Sequence, residues 1–266
     1  MLPSFRLARP HDLTEALDAI GEEKVPYCGG TELLLAMRAG LTRPETLVDL
    51  KHVPELSGVE VRDGAVVIGS VERHMDLALS PIVREYLPML ARVEGAVGNA
   101  RVRAQGSIGG NLCFAEPKSD VATALVAYGA EVTLAGPDGQ RSVPVEEFVA
   151  GPYWADKEPE ELLVDIRVPI PAEGTRAVYV KYQITERPTV GVALVFDSRG
   201  GQCRLVVGAV GEVQTLFTFG DPAEIDPVAV AEELDPTPDL TGSDRYKRHV
   251  ARVFIRRAVH AMAAAA

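Results

Sequence analysis

Cysteine is scarce in this chain: Cys28, Cys113 and Cys203 are the only three in 266 residues, far apart and with no C-x-x-C among them. Such spacing supplies neither the thiolate set of a structural zinc nor that of an iron–sulfur cluster, so buried, reduced thiols and no metal are expected. The five histidines, His11, His52, His74, His249 and His260, fall in no metal or triad spacing. Basic charge is short as well, with 27 Lys and Arg against 38 Asp and Glu and a formal net charge of −11. Nucleic acid selects for a basic face, so no such partner is expected. No window approaches the roughly 18 unbroken apolar residues that a membrane helix requires. The opening Met1 to Pro10 lacks the apolar h-region of a secretory signal, so a cytoplasmic protein without a membrane span is expected. The G-x-x-x-x-G-K-[ST] and G-x-G-x-x-G patterns are both missing, which makes a P-loop NTPase or a Rossmann dinucleotide domain a poor reading.

Apolar residues make up 47% of the chain, enough for one large domain or two modest ones. Asp12-Leu13-Thr14-Glu15 signals a short helix ending near Gly21. A strand at Lys24 to Tyr27, a Gly-Gly turn, a helix from about Thr31 to Ala39 stopped by Gly40, and a strand at Thr46 to Leu50 predict a small α/β unit with parallel strands. Val59 to Val61 and Ala65 to Gly69 flank a Arg62-Asp63-Gly64 turn and read as a hairpin. Helical pattern runs from about Met75 to Val97, interrupted at Pro81 and Pro88, and a Gly-rich loop follows at Gly106 to Asn111. A helix over Asp120 to Tyr128 and a strand over Ala130 to Ala135 come next. After the turn Gly136-Pro137-Asp138-Gly139 another strand is expected. Pro169 to Gly174 reads as a linker. Beyond it, strands at Val178 to Ile184, Val190 to Phe196 and Arg204 to Val210 and a helix from Ser243 to the terminal alanines predict an antiparallel sheet with helices.

Two loops carry the chemistry. In Cys28-Gly29-Gly30-Thr31-Glu32-Leu33, glycines stand directly before a helix start, where unpaired N–H groups and the helix dipole favour an anion. Thr31 is placed to cap that helix and to offer a hydroxyl to a phosphate oxygen. Gln105-Gly106-Ser107-Ile108-Gly109-Gly110-Asn111 repeats the pattern with three glycines, a hydroxyl and an amide. Either loop alone is better read as a tight turn than as a ligand site. Together, in a chain this acidic, they suggest a diphosphate held by main-chain donors rather than by arginines.

At these residues the sequence resembles the flavoprotein (medium) subunits of the molybdenum hydroxylases, of the carbon monoxide dehydrogenase and xanthine dehydrogenase type. The family's first loop reads roughly A-G-G-[HT]-[SDE]-L-L, with Cys28 here in place of Ala. Its second reads roughly R-N-x-[AG]-T-[IV]-G-G-N-L, matched by Arg103 to Leu112 with Ala104 for Asn and Ser107 for Thr. Pro117-Lys118-Ser119-Asp120 matches the P-x-[SA]-D element. Ile68-Gly69-Ser70 matches the I-G-A element, Tyr179-Val180-Lys181 the Y-x-K strand, and Asp244 to His249 the S-x-Y-R-R helix.

The resemblance implies an α+β fold. Residues 1–172 would form a two-subdomain FAD-binding domain of the PCMH type (vanillyl-alcohol oxidase/MurB-like). Residues 173–266 would form a small C-terminal domain of antiparallel sheet and helices. It implies FAD, with Cys28, Gly29, Gly30, Thr31, Glu32 and Leu33 on one side of the diphosphate and Ser107, Ile108, Gly109, Gly110 and Asn111 on the other. Asp120 would meet the ribityl hydroxyls, with a plain helix N-cap as the alternative. Lys181 would lie near the isoalloxazine, or simply on a solvated strand. Trp154 and Tyr153 would fill a core or a subunit face. No acid–base residue is assigned, since flavin chemistry belongs to the cofactor. The implied role is electron transfer from a small [2Fe–2S] subunit, itself served by a large molybdopterin subunit, to an external acceptor, in a dimer of heterotrimers. A stand-alone flavoenzyme and a flavin-free assembly subunit are the alternatives.

Overall fold

In the computed structural model, residues 2–264 are described. The N-terminal unit runs β1 (Arg6–Ala8), α1 (Leu13–Ala19), β2 (Lys24–Tyr27), α2 (Leu33–Ala39) and β3 (Thr46–Asp49). Its three strands pair in the order β1-β3-β2, all parallel, as the α/β reading of this stretch requires. α1 starts where the D-x-x-E signal places it: Asp12 Oδ1 accepts from the Glu15 amide at 2.8 Å, and Glu15 Oε2 accepts from the His11 amide at 2.9 Å. α2 stops at Gly40, whose φ of 77° is the left-handed conformation that glycine adopts without strain.

The middle of the chain supplies β4 (Val59–Arg62), β5 (Ala65–Gly69), α3 (His74–Leu79), α4 (Pro81–Tyr86), α5 (Pro88–Gly95), α6 (Ala100–Gln105), α7 (Ile108–Phe114) and α8 (Asp120–Tyr128). It continues through β6 (Glu131–Gly136), β7 (Gly139–Pro144), α9 (Val145–Phe148), β8 (Val149–Gly151), β9 (Trp154–Ala155) and β10 (Leu162–Pro169). The helical pattern over 75–97 breaks into three helices at the two prolines, each of which begins a new helix. A five-stranded antiparallel sheet forms in the order β4-β5-β10-β6-β7. Its central strand, β10, is, like β1 and α6, among the elements that the sequence reading overlooks. It pairs with β5, nearly a hundred residues earlier, so no local turn announces it.

Residues 170–175 carry neither helix nor strand. Then come β11 (Arg176–Gln183), β12 (Pro188–Asp197), β13 (Gln202–Gly208), β14 (Thr215–Phe219), α10 (Pro227–Glu233) and α11 (Asp244–Ala264). The last two residues of the expected terminal helix, Ala265 and Ala266, lie outside the described residues. The four strands make an antiparallel meander. β12 is buried from Pro188 to Phe196 because it is covered on both faces, which explains its nearly unbroken apolar run. Val190, Val192 and Leu194 pack with Phe254, Ile255 and Ala258 of α11, while Ala193 and Val195 face the core built on α5, α7 and α8. α8 is buried at all nine of its positions and, apart from Asp120 and Thr123, is apolar all round, as suits a helix held between two sheets.

A third cluster joins Ala16, Ile20, Val48 and Leu50 of the N-terminal unit to Ala135, Leu162 and Val164 of the larger sheet. Tyr153 and Trp154 fill no core within the chain; they are 60% and 63% exposed. Among the described residues no helix is long and apolar enough to cross a membrane.

Candidate functional site

The two glycine loops meet. A cleft of about 500 Å³ lies between them, walled also by Ser70, Val71 and His74, by the start of α8 and by Arg187 and Pro188. Of the residues proposed from sequence, all but Ile108 and Lys181 line it. Ile108 is fully buried in the main core.

The first loop leaves β2 at Tyr27 and enters α2 at Leu33. It touches the second loop so closely that a Cβ on Gly29 would lie 1.9 Å from the Gln105 carbonyl oxygen. Gly30 has a φ of +65°, and a Cβ there would lie 2.6 Å from Tyr27 Cε2. Among the described residues the amides of Gly30, Thr31, Glu32 and Leu33 donate to no protein acceptor, that of Gly29 is turned to the Cys28 sulfur, and all five residues are half-buried. Thr31 does not cap the helix. Glu32 holds the cap position, and no side chain bonds the first turn. The loop's base is fixed by Lys51, whose Nζ donates to the Cys28 carbonyl at 3.2 Å, pairs with Asp49 at 2.7 Å and lies 4.3 Å from the centre of the Tyr27 ring. Burial raises the Cys28 thiol pKa above its ordinary value, against a hydrogen bond with Ser107 and the nearby Lys51 charge, which lower it.

The second loop is different in kind. Ile108 and Gly109 donate their amides to the carbonyls of Glu72 and Ser70, each at 2.9 Å, while Gly110 donates to Ser107 Oγ at 3.1 Å and Asn111 to the Ser107 carbonyl. Four of its donors are therefore committed to protein, two because the loop is docked against the connection between β5 and α3 and two within its own first helical turn. What it offers the cleft is a side chain. Asn111 Oδ1 accepts from Ser119 Oγ at 2.6 Å, which turns the donating end of that amide away from Ser119.

Ser119, not Asp120, is the N-cap of α8, accepting from the Ala122 amide at 3.0 Å. Asp120 is the first helical residue, with 8% of its surface exposed. Its Oδ2 lies 2.6 Å from Lys181 Nζ, and its Oδ1 accepts from the Tyr179 hydroxyl. Lys181 is therefore neither a cleft-wall residue nor a solvated strand lysine. Burial, then the Asp120 charge, hold the Tyr179 phenol pKa well above 10.0.

Three further groups near the cleft, of which only Lys118 lies within a motif and there at its unspecified position, are paired by the fold. Arg187 donates to both oxygens of Glu32, at 2.8 and 3.0 Å, and to Glu116. Lys118 pairs with Asp239 at 2.7 Å. His74 Nδ1 meets Glu94 Oε2 at 2.5 Å, with both side chains buried. Their partners are remote in sequence, and only the fold brings them together. Among the described residues no group of three or more His, Cys, Asp or Glu is placed to hold a metal ion.

Comparison with known proteins agrees with this geometry. The family described as the FAD binding domain in molybdopterin dehydrogenase matches residues 3–171. The chain is 32% identical to the carbon monoxide dehydrogenase medium chain of Afipia carboxidovorans, over 97% of each chain. It is 28% identical to the glyceraldehyde dehydrogenase medium chain of Sulfolobus acidocaldarius, over 96% of this chain and 97% of that one. Among solved structures, it superposes on a chain of the Hydrogenophaga pseudoflava carbon monoxide dehydrogenase with a TM-score of 0.91 at 31% identity, covering 99% of both. A chain of the Oligotropha carboxidovorans enzyme gives 0.92 at 29%, covering all of both. Glycine loops that close on one another beside a line of free amides, and a match over the full length to medium chains, lead to one conclusion: the chain belongs to the FAD-binding medium subunits of the molybdenum hydroxylases.

Proposed function

We propose that the chain is the electron-transfer subunit of a cytoplasmic molybdenum hydroxylase, in which bound FAD supplies the redox chemistry between a partner [2Fe–2S] subunit and an external acceptor. The observation that carries the reading is the unbroken run of free amides from Gly30 to Leu33. Four adjacent donors at the rim of a cleft suit a diphosphate, which offers several anionic acceptors and carries no donor of its own. An acidic protein can bind an anion in this way because the interaction is local and short-ranged.

The remaining roles follow from the chemistry of each group. Asn111, turned by Ser119, is a neutral donor opposite the first loop. Ser107 and the close-packed Gly109 and Gly110 shape that wall and leave space for a ligand. Asp120 has acceptor capacity beyond its bonds to Lys181 and Tyr179, as a carboxylate offers about four lone-pair sites, so it suits the ribityl hydroxyls. Lys181 serves by holding the Asp120 carboxylate in place. A division near residue 172 is supported by the core that β12, β13, α10 and α11 build together. Relatives named as medium chains support further subunits beside this one; a small iron–sulfur and a large molybdopterin subunit, in a heterotrimer paired into a dimer, complete the proposed assembly.

Purification of the chain from its native source tests the proposal. Flavin absorbance, about one FAD per chain, and co-purification with an iron–sulfur and a molybdenum subunit are expected. A yellow monomer that turns over a small substrate alone would identify a stand-alone flavoenzyme. A colourless chain that refuses added FAD would identify an assembly subunit.

A further inference from the structure

The cleft is lined by more negative than positive side chains. Its carboxylates are Glu22, Glu32, Glu116, Asp120, Glu161 and Glu186, and its cations are Lys118, Lys157 and Arg187. Most of this charge is settled elsewhere. Asp120 pairs with Lys181 at 2.6 Å, Glu161 with Arg141 at 2.7 Å, and Lys118 with Asp239 at 2.7 Å. Glu22 and Glu186 are exposed to solvent. Glu32 and Glu116 remain, and among the described residues Arg187 is the one cation paired with either.

Their placement matters. Glu32 belongs to the run of free amides itself, and the Glu116 side chain is only 11% exposed. A diphosphate at those amides would meet two uncompensated carboxylates in a partly dehydrated cleft, where like charges repel more strongly than in water. A single guanidinium answers both, its planar fork taking Glu32 with one nitrogen and Glu116 with the other.

We infer that Arg187 is a positioning residue for the diphosphate, acting through Glu32 and Glu116: it neutralises and holds the two carboxylates that would otherwise repel the ligand. The inference rests on the FAD reading above and adds a role for the loop between β11 and β12, which no glycine motif marks. Three consequences separate this role from a purely structural bridge and from direct contact with phosphate. Charge without the fork is sufficient, so Arg187→Lys retains most of the affinity. Neutralising the carboxylates makes the cation dispensable. The effect of Arg187→Gln shrinks as salt rises, since the pair is partly solvated.

The test is titration of FAD into the flavin-stripped full-length chain, followed by flavin fluorescence, for wild type, R187K, R187Q and R187Q/E32Q/E116Q, with far-UV circular dichroism as the check on folding. R187Q is expected to bind about tenfold or more weakly at low ionic strength, and the triple variant to return to within a few-fold of wild type. Unchanged binding in R187Q would overturn the inference, and so would a triple variant as weak as R187Q. If R187Q does not fold, R187K and the triple variant decide it: both near wild type support the inference, and either one far weaker defeats it. Failure of the wild-type chain itself to bind FAD would defeat the FAD reading instead, which keeps the two failures distinct.

Discussion

Asp120 and Lys181 stand 61 residues apart in sequence and 2.6 Å apart in space. The contact ties the first turn of α8, at the floor of the cleft, to β11 of the tail sheet. The carboxylate that sequence offers as a ligand contact is also a junction between two parts of the fold.

Removing one partner of this pair is costly, because it leaves a charge with little water around it. Lys181→Met is expected to destabilise the chain by about 3 kcal/mol, measured by urea unfolding. Asp120→Asn in the same background should recover part of the loss by removing the orphaned charge. A single variant as stable as wild type would mean that the Tyr179 hydroxyl alone satisfies Asp120.

Ser119 does two jobs with one oxygen, accepting from the Ala122 amide at 3.0 Å and donating to Asn111 Oδ1 at 2.6 Å. Ser119→Ala should therefore cost about 1–2 kcal/mol of stability through the lost cap. It should also weaken FAD binding a few-fold by freeing Asn111 to turn. Ser119→Thr, which keeps the hydroxyl, should restore both. Calorimetric titration with FAD alongside equilibrium unfolding separates the two effects.

The parts of the fold that sequence made legible are those with local causes. Asp12 and Glu15 announce α1, Pro81 and Pro88 divide a helical stretch, and the turn after Arg62 joins β4 to β5. The glycine loops are recognisable as a pair because glycine content reports backbone requirements directly. Their division of labour is not. Whether an amide is free depends on which carbonyls the fold places opposite it, and Glu72 and Ser70 happen to face Ile108 and Gly109. Lys181 has the same difficulty, since a strand lysine looks the same beside water or beside Asp120. Arg187 was invisible for a stronger reason: its partner Glu32 lies 155 residues away.

Alkaline pH offers a check on the second core. Cys203 has no exposed surface, and burial, then the charges of Asp221 and Glu224, push its pKa up from 9.0 to about 12. The unfolded thiol loses its proton near pH 9 while the folded one keeps it. Above that pH the unfolded state binds fewer protons, so stability falls as pH rises and levels only past 12. Tyr179, raised above 10.0 by burial, acts in the same direction at higher pH. Urea unfolding at intervals from pH 8 to pH 11 should record a loss of about 2–3 kcal/mol from Cys203. Cys203→Ala, though less stable at pH 8, should show a shallower slope. An unchanged slope would place the alkaline sensitivity elsewhere.

The last prediction concerns the glycines, whose necessity has different sources. A Cβ on Gly29 would lie 1.9 Å from the Gln105 carbonyl oxygen and 2.5 Å from its carbonyl carbon, and backbone atoms cannot turn aside. Gly29→Ala must force the two loops apart, misaligning the free amides against Asn111. At Gly30 the penalty is partly conformational, about 1–2 kcal/mol for an L-residue at its φ of +65°, and the Cβ also meets the Tyr27 ring. At Gly110 the one close atom is Ser107 Oγ at 2.9 Å, the end of a side chain that can rotate at the expense of a single cap bond. Flavin content per chain after purification should therefore fall to near zero in Gly29→Ala, fall strongly in Gly30→Ala, and fall least in Gly110→Ala. The ordering is the test, because all three residues belong to the motifs that sequence alone ranks equally. Equal loss at Gly29 and Gly110 would mean that the second loop's glycines contact the ligand directly, and that the free amides of the first loop are not the principal hold on the diphosphate.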